Sequence, residues 1–201
     1  VGSEMCIRDR IIKELDLEQA HGVIIPGEKE PRIKEGENDE ELAPEEATRY
    51  RGITARANYL AADRPDIMYS VKELCRGIAR PTKEYWHKLK RLGRYLLRRP
   101  RLVFRLPFQS ADRWDVYTDT DWAGCVRTRK STSGGCLMLG SHVIKCWSAT
   151  QASLALSSGE AEFYAVAKAA ARGLEYLPFL ADVGFSCVFG FALAVPLLWV
   201  Y

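Results

Sequence analysis

The apolar positions of the chain change from helical to strand spacing about half-way along it. Between residues 44 and 98 they recur at helical intervals, and Pro44, Asp63 and Pro65 mark helix boundaries. The segment from Thr82 to Arg98 carries one stripe at i, i+4, i+7 and i+11, formed by Tyr85, Leu89, Leu92 and Leu96. The pattern therefore predicts three helices, the last with one face suited to packing.

From residue 101 the apolar residues occur in short stretches rich in β-branched and aromatic side chains. These stretches are LVFRLP, WDVYT, GGCLMLG and HVIKCWS. Glycine, serine or charged residues separate them, which is typical of consecutive antiparallel strands. A long helix is then predicted to open at LSSGEAEFYA. The expected fold is α/β (α+β): a helical region, then a domain with an initial three-stranded antiparallel sheet and a packed helix.

The start of that last helix suggests different roles for its two glutamates. Ser157 and Glu160 have the capping-box spacing, in which the serine caps the helix and Glu160 returns a bond to the backbone N–H of the cap. Glu162 lies two positions further on, roughly 200° around the helix axis. Its face continues through small or apolar residues suited to packing on a sheet, namely Val166, Ala169 and Gly173. Glu162 is therefore the glutamate expected near the sheet.

Two aspartates close the apolar run VYTDTDWAG. Asp119 and Asp121 could cap a turn, form ion pairs or bind a metal ion. If Glu162 lies beside Asp119, the two carboxylates could share Mg²⁺, which prefers oxygen ligands and keeps several waters. Two such ions roughly 3.5–4 Å apart would support phosphodiester hydrolysis. The alternative for an acid on a helix is a solvated side chain.

Charge is distributed unevenly, although the net charge is only +3. Residues 51–106 hold 15 Lys/Arg against 4 Asp/Glu, whereas residues 11–50 hold 5 against 12. A block this basic predicts a surface that binds a polyanion, because clustered cations displace counterions from phosphates; the alternative is a solvated helical surface. The candidate nucleic-acid-binding residues are Lys88, Arg91, Arg94 and Arg98 on the third helix, and Arg127, Arg129 and Lys130 in the segment RTRKSTSGG.

The six cysteines show neither a CxxC pair nor regular spacing. Such usage is typical of reduced intracellular thiols, and it argues against a disulfide framework, a disulfide-linked partner or a zinc knuckle. The three histidines have no metal-ligand spacing either. The N-terminus has no apolar signal-peptide region, so secretion is not expected.

Residues 117–170 resemble the ribonuclease H domain of copia-type retrotransposon Pol polyproteins. The matching stretches are TDTDWAG, STSG, the Trp-Ser of CWSATQ, and ALSSGEAEFYA. Upstream, residues 56–100 resemble the region that links the reverse transcriptase of that family to its ribonuclease H. The resemblance covers about residues 44–184.

This resemblance implies cleavage of the RNA strand of RNA–DNA hybrids during reverse transcription. Asp119 matches the first catalytic aspartate and Glu162 the catalytic glutamate, both as Mg²⁺ ligands, while Asp121 has a supporting role. The implied partners are an RNA–DNA hybrid or other nucleic acid and the remainder of the Pol polyprotein; a membrane partner is not expected. The implied location is cytoplasmic, or a virus-like particle or the nucleus for the intact element.

The chain departs from the family pattern near Gly184. The pattern next requires a strand with a third catalytic aspartate, but no acidic residue follows Asp182. The two-ion site is therefore expected to be incomplete and the chain to be inactive, or nearly so, by itself. The alternative is a catalytically dead, nucleic-acid-binding remnant. A tail-anchored membrane protein is a third reading.

The sequence thus predicts five segments. Residues 1–10 resemble a translated sequencing adapter and are excluded from fold reasoning. Residues 11–43 are an acidic linker, 44–100 a basic helical connector and 101–184 a partial ribonuclease H-like domain. Residues 185–201 form an apolar tail with three interpretations: sequence outside the natural reading frame or past a splice boundary, a buried strand, or a membrane segment.

Overall fold

The computed structural model describes residues 2–27, 40–186 and 188–193. The helices and strands follow in the order α1 (Gly2–Glu14), α2 (Pro44–Leu60), α3 (Pro65–Arg76), α4 (Lys83–Arg98), β1 (Arg113–Asp121), β2 (Thr132–Leu139), β3 (His142–Thr150), α5 (Ser158–Asp182) and β4 (Val188–Leu193). The chain divides into two compact units between Val103 and Phe104.

The first unit is helical, and it contains the three helices predicted between residues 44 and 98. α2 begins at Pro44 and α3 at Pro65, each in the first turn, where the missing proline N–H breaks no helical bond. The predicted stripe of α4 is buried in the core of this unit. These predictions are confirmed. They could be made from the sequence because proline positions and apolar spacing determine helix starts and helix faces locally.

The N-terminal residues differ from the prediction. α1 runs from Gly2 through the predicted adapter segment into the predicted linker. The beginning of that linker belongs to the helical core, through Ile11, Ile12, Leu15 and Leu17. The apolar i, i+4 spacing of Ile11 and Leu15 explains why this stretch folds, despite the acidic residues around it. Residues 28–39, a large part of the predicted linker, lie outside the described residues. The adapter origin of residues 1–10 stays a prediction.

The second unit contains a four-stranded mixed sheet in the order β3-β2-β1-β4. β1 pairs antiparallel with β2, and β2 with β3, as predicted. The three antiparallel strands predicted to open the domain are present, but the sheet as a whole is not three-stranded and antiparallel, because β4 pairs parallel with the other edge of β1. A helix between two strands allows the chain to return in the same direction, and α5 makes this connection.

Two apolar stretches differ from their predicted states. LVFRLP, predicted as a strand, has no regular structure, and Val103, Phe104 and Leu106 are exposed. Prolines at both ends of the stretch limit ladder hydrogen bonding. In the tail, β4 is an edge strand that is only partly buried: Val188 is 72% exposed, whereas Phe189 packs against the core of this unit. Across the described ranges, no helix has both the length and the apolar character to cross a membrane.

α5 packs against one face of the sheet through small residues. Ala161, Ala165, Ala169 and Gly173 are the buried positions along its first four turns. A Cβ at Gly173 would lie 2.4 Å from the Phe189 ring and 2.7 Å from Val116, so the helix approaches the sheet too closely for a side chain there. At the other end of this contact, the first turn of α5 lies beside the end of β1, where Thr120 meets Ala161.

Candidate metal site

The two predicted aspartates lie at the end of β1. The ladder with β2 stays regular through Asp119–Gly134 and Asp121–Thr132, so both aspartates occupy the same strand face, as expected. Thr120 lies between them on the opposite face, where its hydroxyl is 3.5 Å from the carbonyl oxygen of Ala161. β1 therefore reaches the first turn of α5 through Thr120.

Glu162 is half-buried and meets the end of β1 directly. Burial raises the pKa of its carboxyl group, and the negative charge of Asp119 raises this pKa further. Hydrogen bonds from the hydroxyl and the backbone N–H of Thr120 act in the opposite direction, because they stabilise the carboxylate. The structure therefore brings Asp119 and Glu162 close enough for their charges to interact. A cation between them would relieve that repulsion.

Glu160 performs the structural role that the sequence predicts, with one difference. Its backbone N–H donates to Ser157 Oγ at 3.1 Å, so Ser157 caps α5. Its carboxylate accepts from the backbone N–H of Leu156 at 2.7 Å, one residue before the predicted donor, and from the Tyr164 hydroxyl at 3.0 Å. Glu160 is thus held by the loop before α5, whereas Glu162 contacts the sheet.

Asp121 lies against the turn that follows β1. A Cβ at Gly124 would be 1.9 Å from Asp121 Oδ2, so this carboxylate occupies the space that a side chain at position 124 would need. The backbone N–H of Gly124 also donates to the Asp121 carbonyl oxygen at 3.4 Å. This placement fits a carboxylate that shapes the turn, and its supporting role at a metal stays a prediction.

The loop between β1 and β2 is organised by Cys125 and presents basic side chains. The Thr128 hydroxyl lies 2.9 Å from Cys125 Sγ, and the Arg129 N–H donates to the Cys125 carbonyl oxygen at 2.8 Å. Arg127 and Arg129 are exposed, whereas Lys130 is partly buried. Because the loop follows Asp121 directly, these cations lie at the same end of the sheet as the two aspartates.

The basic residues of α4 are less available than the sequence suggests. Lys88 pairs with Glu84 at 2.5 Å and lies 5.2 Å from the centroid of the Tyr85 ring. Arg94 donates to the His21 carbonyl oxygen at 2.7 Å, and Arg91 is partly buried. Arg98 is exposed. Lys88 is therefore paired within α4, Arg94 ties α4 to the segment after α1, and Arg98 is the most exposed of the four.

Two further residues support the site and were not identified from the sequence. Gln151 is buried, and its Nε2 donates to Ser133 Oγ and to the Ala161 carbonyl oxygen, both at 2.8 Å. Trp122 is 46% exposed, and its Nε1 donates to the Ala155 carbonyl oxygen at 3.1 Å. Gln151 thus ties the first turn of α5 to β2, and Trp122 ties the turn after β1 to the loop before α5. Trp122 lies in the motif TDTDWAG and Gln151 in CWSATQ, but the motifs alone do not show which residues these side chains contact.

Known proteins resemble this chain over most of its length. The retrovirus-related Pol polyprotein from transposon RE2 of Arabidopsis thaliana is 39% identical over 120 residues, which is 60% of this chain and 8% of that protein. The corresponding polyprotein from transposon RE1 is 36% identical over 137 residues, or 68% of this chain and 9% of that protein. The chain belongs to the copia-type retrotransposon Pol proteins. The resemblance to this family that the sequence motifs indicate is thereby confirmed.

The chain is also similar to a protein that is not described as a Pol polyprotein. The uncharacterized mitochondrial protein AtMg00810 of Arabidopsis thaliana is 38% identical over 126 residues, which is 61% of this Pol chain and 51% of that protein. No protein-family model matches the chain. No solved structure matches it either, so its ribonuclease H-like fold stays a prediction.

The described residues of the Pol chain offer two carboxylates for a cation and do not include the third that the resemblance implies. β4 occupies the sheet position beside β1, and their ladder reaches Thr118–Leu193, one residue before Asp119. No acidic residue follows Asp182. Among the described residues there is no group of three His, Cys, Asp or Glu able to hold a metal ion. The oxygen ligands and the repulsion between Asp119 and Glu162 fit Mg²⁺, but as a weak two-ligand site.

Proposed function

We propose that this Pol chain supplies the first two carboxylates of a ribonuclease H-type active site, which hydrolyses the RNA strand of RNA–DNA hybrids during reverse transcription. The observation that carries the proposal is the position of Glu162 at the end of β1, hydrogen-bonded to Thr120, where the charge of Asp119 raises its pKa further beyond the effect of burial. Asp119 and Glu162 come from a strand end and a helix start that are 43 positions apart. An ordinary solvated acid on a helix does not explain a half-buried glutamate held beside a second carboxylate.

The protein side of the chemistry consists of binding and orientation. Asp119 and Glu162 would hold Mg²⁺, which when bound activates a water molecule and stabilises the leaving oxygen of a phosphodiester. Thr120 orients the Glu162 carboxylate through its hydroxyl and its N–H. Gln151 fixes the helix turn that carries Glu162. Because a cation neutralises the repulsion that raises the pKa of Glu162, binding of Mg²⁺ also favours the ionised ligand.

The substrate is proposed to be held by its phosphates and its shape. Arg127 and Arg129 are exposed beside the two aspartates, and Arg98 is exposed on the helical unit. Contacts of this kind read the backbone of an A-like duplex and give little sequence specificity. The rest of the polyprotein is the proposed partner that completes the site, in the cytoplasm, a virus-like particle or the nucleus.

A second candidate is a non-catalytic Pol remnant that binds hybrid or duplex. It is favoured by one observation: β4 takes the position next to β1 but brings no acidic residue to it. Two carboxylates can bind a cation without completing a two-ion site.

The test is Mg²⁺-dependent hydrolysis of a labelled RNA–DNA hybrid by the full chain, with binding measured in parallel. We expect binding that weakens as salt is raised, and slow cleavage of the RNA strand. Asp119→Asn or Glu162→Gln should reduce that cleavage by on the order of 10²-fold, the scale of losing one catalytic group. Glu160→Gln is the matched control and should keep it, because Glu160 serves the helix cap.

Each other outcome has a definite meaning. Binding without cleavage supports the non-catalytic remnant. Cleavage that is equal in wild type and in both carboxylate variants contradicts the assignment of Asp119 and Glu162. Failure to bind hybrid at low salt contradicts both candidate functions.

A further inference from the structure

Two cysteines ten residues apart face each other on adjacent strands of the sheet. Cys136 of β2 and Cys146 of β3 are direct partners in the antiparallel ladder. Their Sγ atoms lie 3.6 Å apart, within hydrogen-bonding distance for sulfur. Both are free thiols. We propose that Cys136 and Cys146 form an oxidisable dithiol site, whose co-substrate is a small-molecule disulfide such as oxidised glutathione.

The backbone already satisfies the geometry of a disulfide. Directly opposed residues of antiparallel strands have Cα atoms about 4.5 or 5.5 Å apart. Disulfides span Cα separations of about 4.4–6.8 Å. The sulfur atoms must approach from 3.6 Å to about 2.05 Å. Side-chain rotation can provide most of this movement, so β2 and β3 need not separate.

The environments of the two thiols set the order of reaction. Cys136 is only 3% exposed, whereas Cys146 is partly exposed. A hydrogen bond joins the two thiols; this pairing lowers the pKa of Cys146 despite its burial, and the same pairing together with burial raises the pKa of Cys136. The thiolate is the nucleophile in thiol–disulfide exchange. Cys146 is therefore the attacking sulfur and Cys136 the resolving one.

The reaction proceeds in two balanced exchanges. Cys146 Sγ attacks one sulfur of oxidised glutathione, forming a mixed disulfide and releasing one glutathione thiolate, which takes up a proton. Cys136 then loses its proton and attacks Cys146 Sγ, which releases the second glutathione. The protein loses two thiol hydrogens and two electrons, and the glutathione disulfide is reduced to two thiols. The product links β2 to β3.

Two of the other described cysteines, Cys75 and Cys125, serve as internal controls. Cys125 is buried and contacts Thr128, and burial raises the pKa of Cys75. Cysteine spacing along the sequence does not reveal the Cys136–Cys146 pair, because strand register brings these residues together.

The test treats the folded full chain with oxidised glutathione, blocks remaining thiols by alkylation and maps the peptides by mass spectrometry. We expect a product that has lost two hydrogens, linked between Cys136 and Cys146. Cys136→Ser should instead accumulate a glutathione adduct on Cys146, and Cys125→Ser should behave as wild type. Denaturation in urea before oxidation should abolish the preference for this pair.

Two results would overturn the proposal. One is a folded wild-type chain without the Cys136–Cys146 link under conditions where other cysteines are modified. The other is the same distribution of links before and after denaturation. Neither result depends on hybrid cleavage, so this inference and the proposed nuclease can fail separately.

Discussion

Replacement of Trp114 by alanine is expected to lower the free energy of unfolding of the sheet-containing unit by about 3–5 kcal/mol. Trp114 is fully buried between β1 and α5. Its Nε1 donates to the Gly173 carbonyl oxygen at 3.0 Å, and its ring lies 5.8 Å from the ring of Tyr176, centroid to centroid. The substitution removes a large apolar side chain and a hydrogen bond, and it leaves a cavity under the helix that carries Glu162.

Trp122→Ala is the matched control for this prediction. Trp122 belongs to the same unit, but it is largely solvated and makes one hydrogen bond, to Ala155. Its loss should cost about 1 kcal/mol. Urea unfolding monitored by far-UV circular dichroism, with hydrogen exchange of the β1 and β2 amides, separates the two substitutions. Equal losses in the two variants would contradict the role given to Trp114.

Removal of either carboxylate of the candidate site is expected to stabilise the metal-free chain at neutral pH. The folded pKa of Glu162 is raised above its ordinary value of 4.5. Its stabilising contribution is therefore complete below that ordinary value and is lost as the pH rises through the folded pKa. Glu162→Gln should increase the free energy of unfolding at pH 7 by up to about 1 kcal/mol after solvent screening, with the gain fading in acid.

Added Mg²⁺ should stabilise the wild type against unfolding, and this stabilisation should require both Asp119 and Glu162. Wild type should gain about 1.4 kcal/mol at a Mg²⁺ concentration ten times the Kd, whereas Asp119→Asn and Glu162→Gln should gain little. Thermal unfolding with Mg²⁺, and with Ca²⁺ for comparison, measures this difference. Glu160→Gln should respond to Mg²⁺ as wild type does. An equal Mg²⁺ response in all four proteins would place the cation elsewhere.

Local signals in the sequence were sufficient for helices α2 to α5 and for the different roles of Glu160 and Glu162. Proline at positions 44 and 65 marks helix starts whatever the helices pack against. The offset of about 200° between Glu160 and Glu162 follows from helix geometry alone. It separates a residue of the cap from a residue at the sheet, as the hydrogen bonds of the structure bear out.

Features that depend on long-range pairing were not predictable in the same way. β4 forms because α5 returns the chain to the open edge of β1, and its apolar composition alone also fitted a membrane segment or an aberrant tail. One of the two hydrogen bonds from Thr120 to Glu162 comes from the backbone N–H, which every residue type except proline would provide, so the residue type does not predict it. The Cys136–Cys146 contact depends on the register of β2 and β3.

The convergence of Asp119 and Glu162 is tested most directly by carboxyl-carbon NMR titration of Glu162. In the metal-free wild type we expect the pKa of Glu162 to lie above 4.5. It should fall in Asp119→Asn, which removes the neighbouring charge, and fall when Mg²⁺ is added to wild type. If Glu162 titrates at its ordinary pKa, and neither the substitution nor Mg²⁺ changes it, the two carboxylates do not share a cation site.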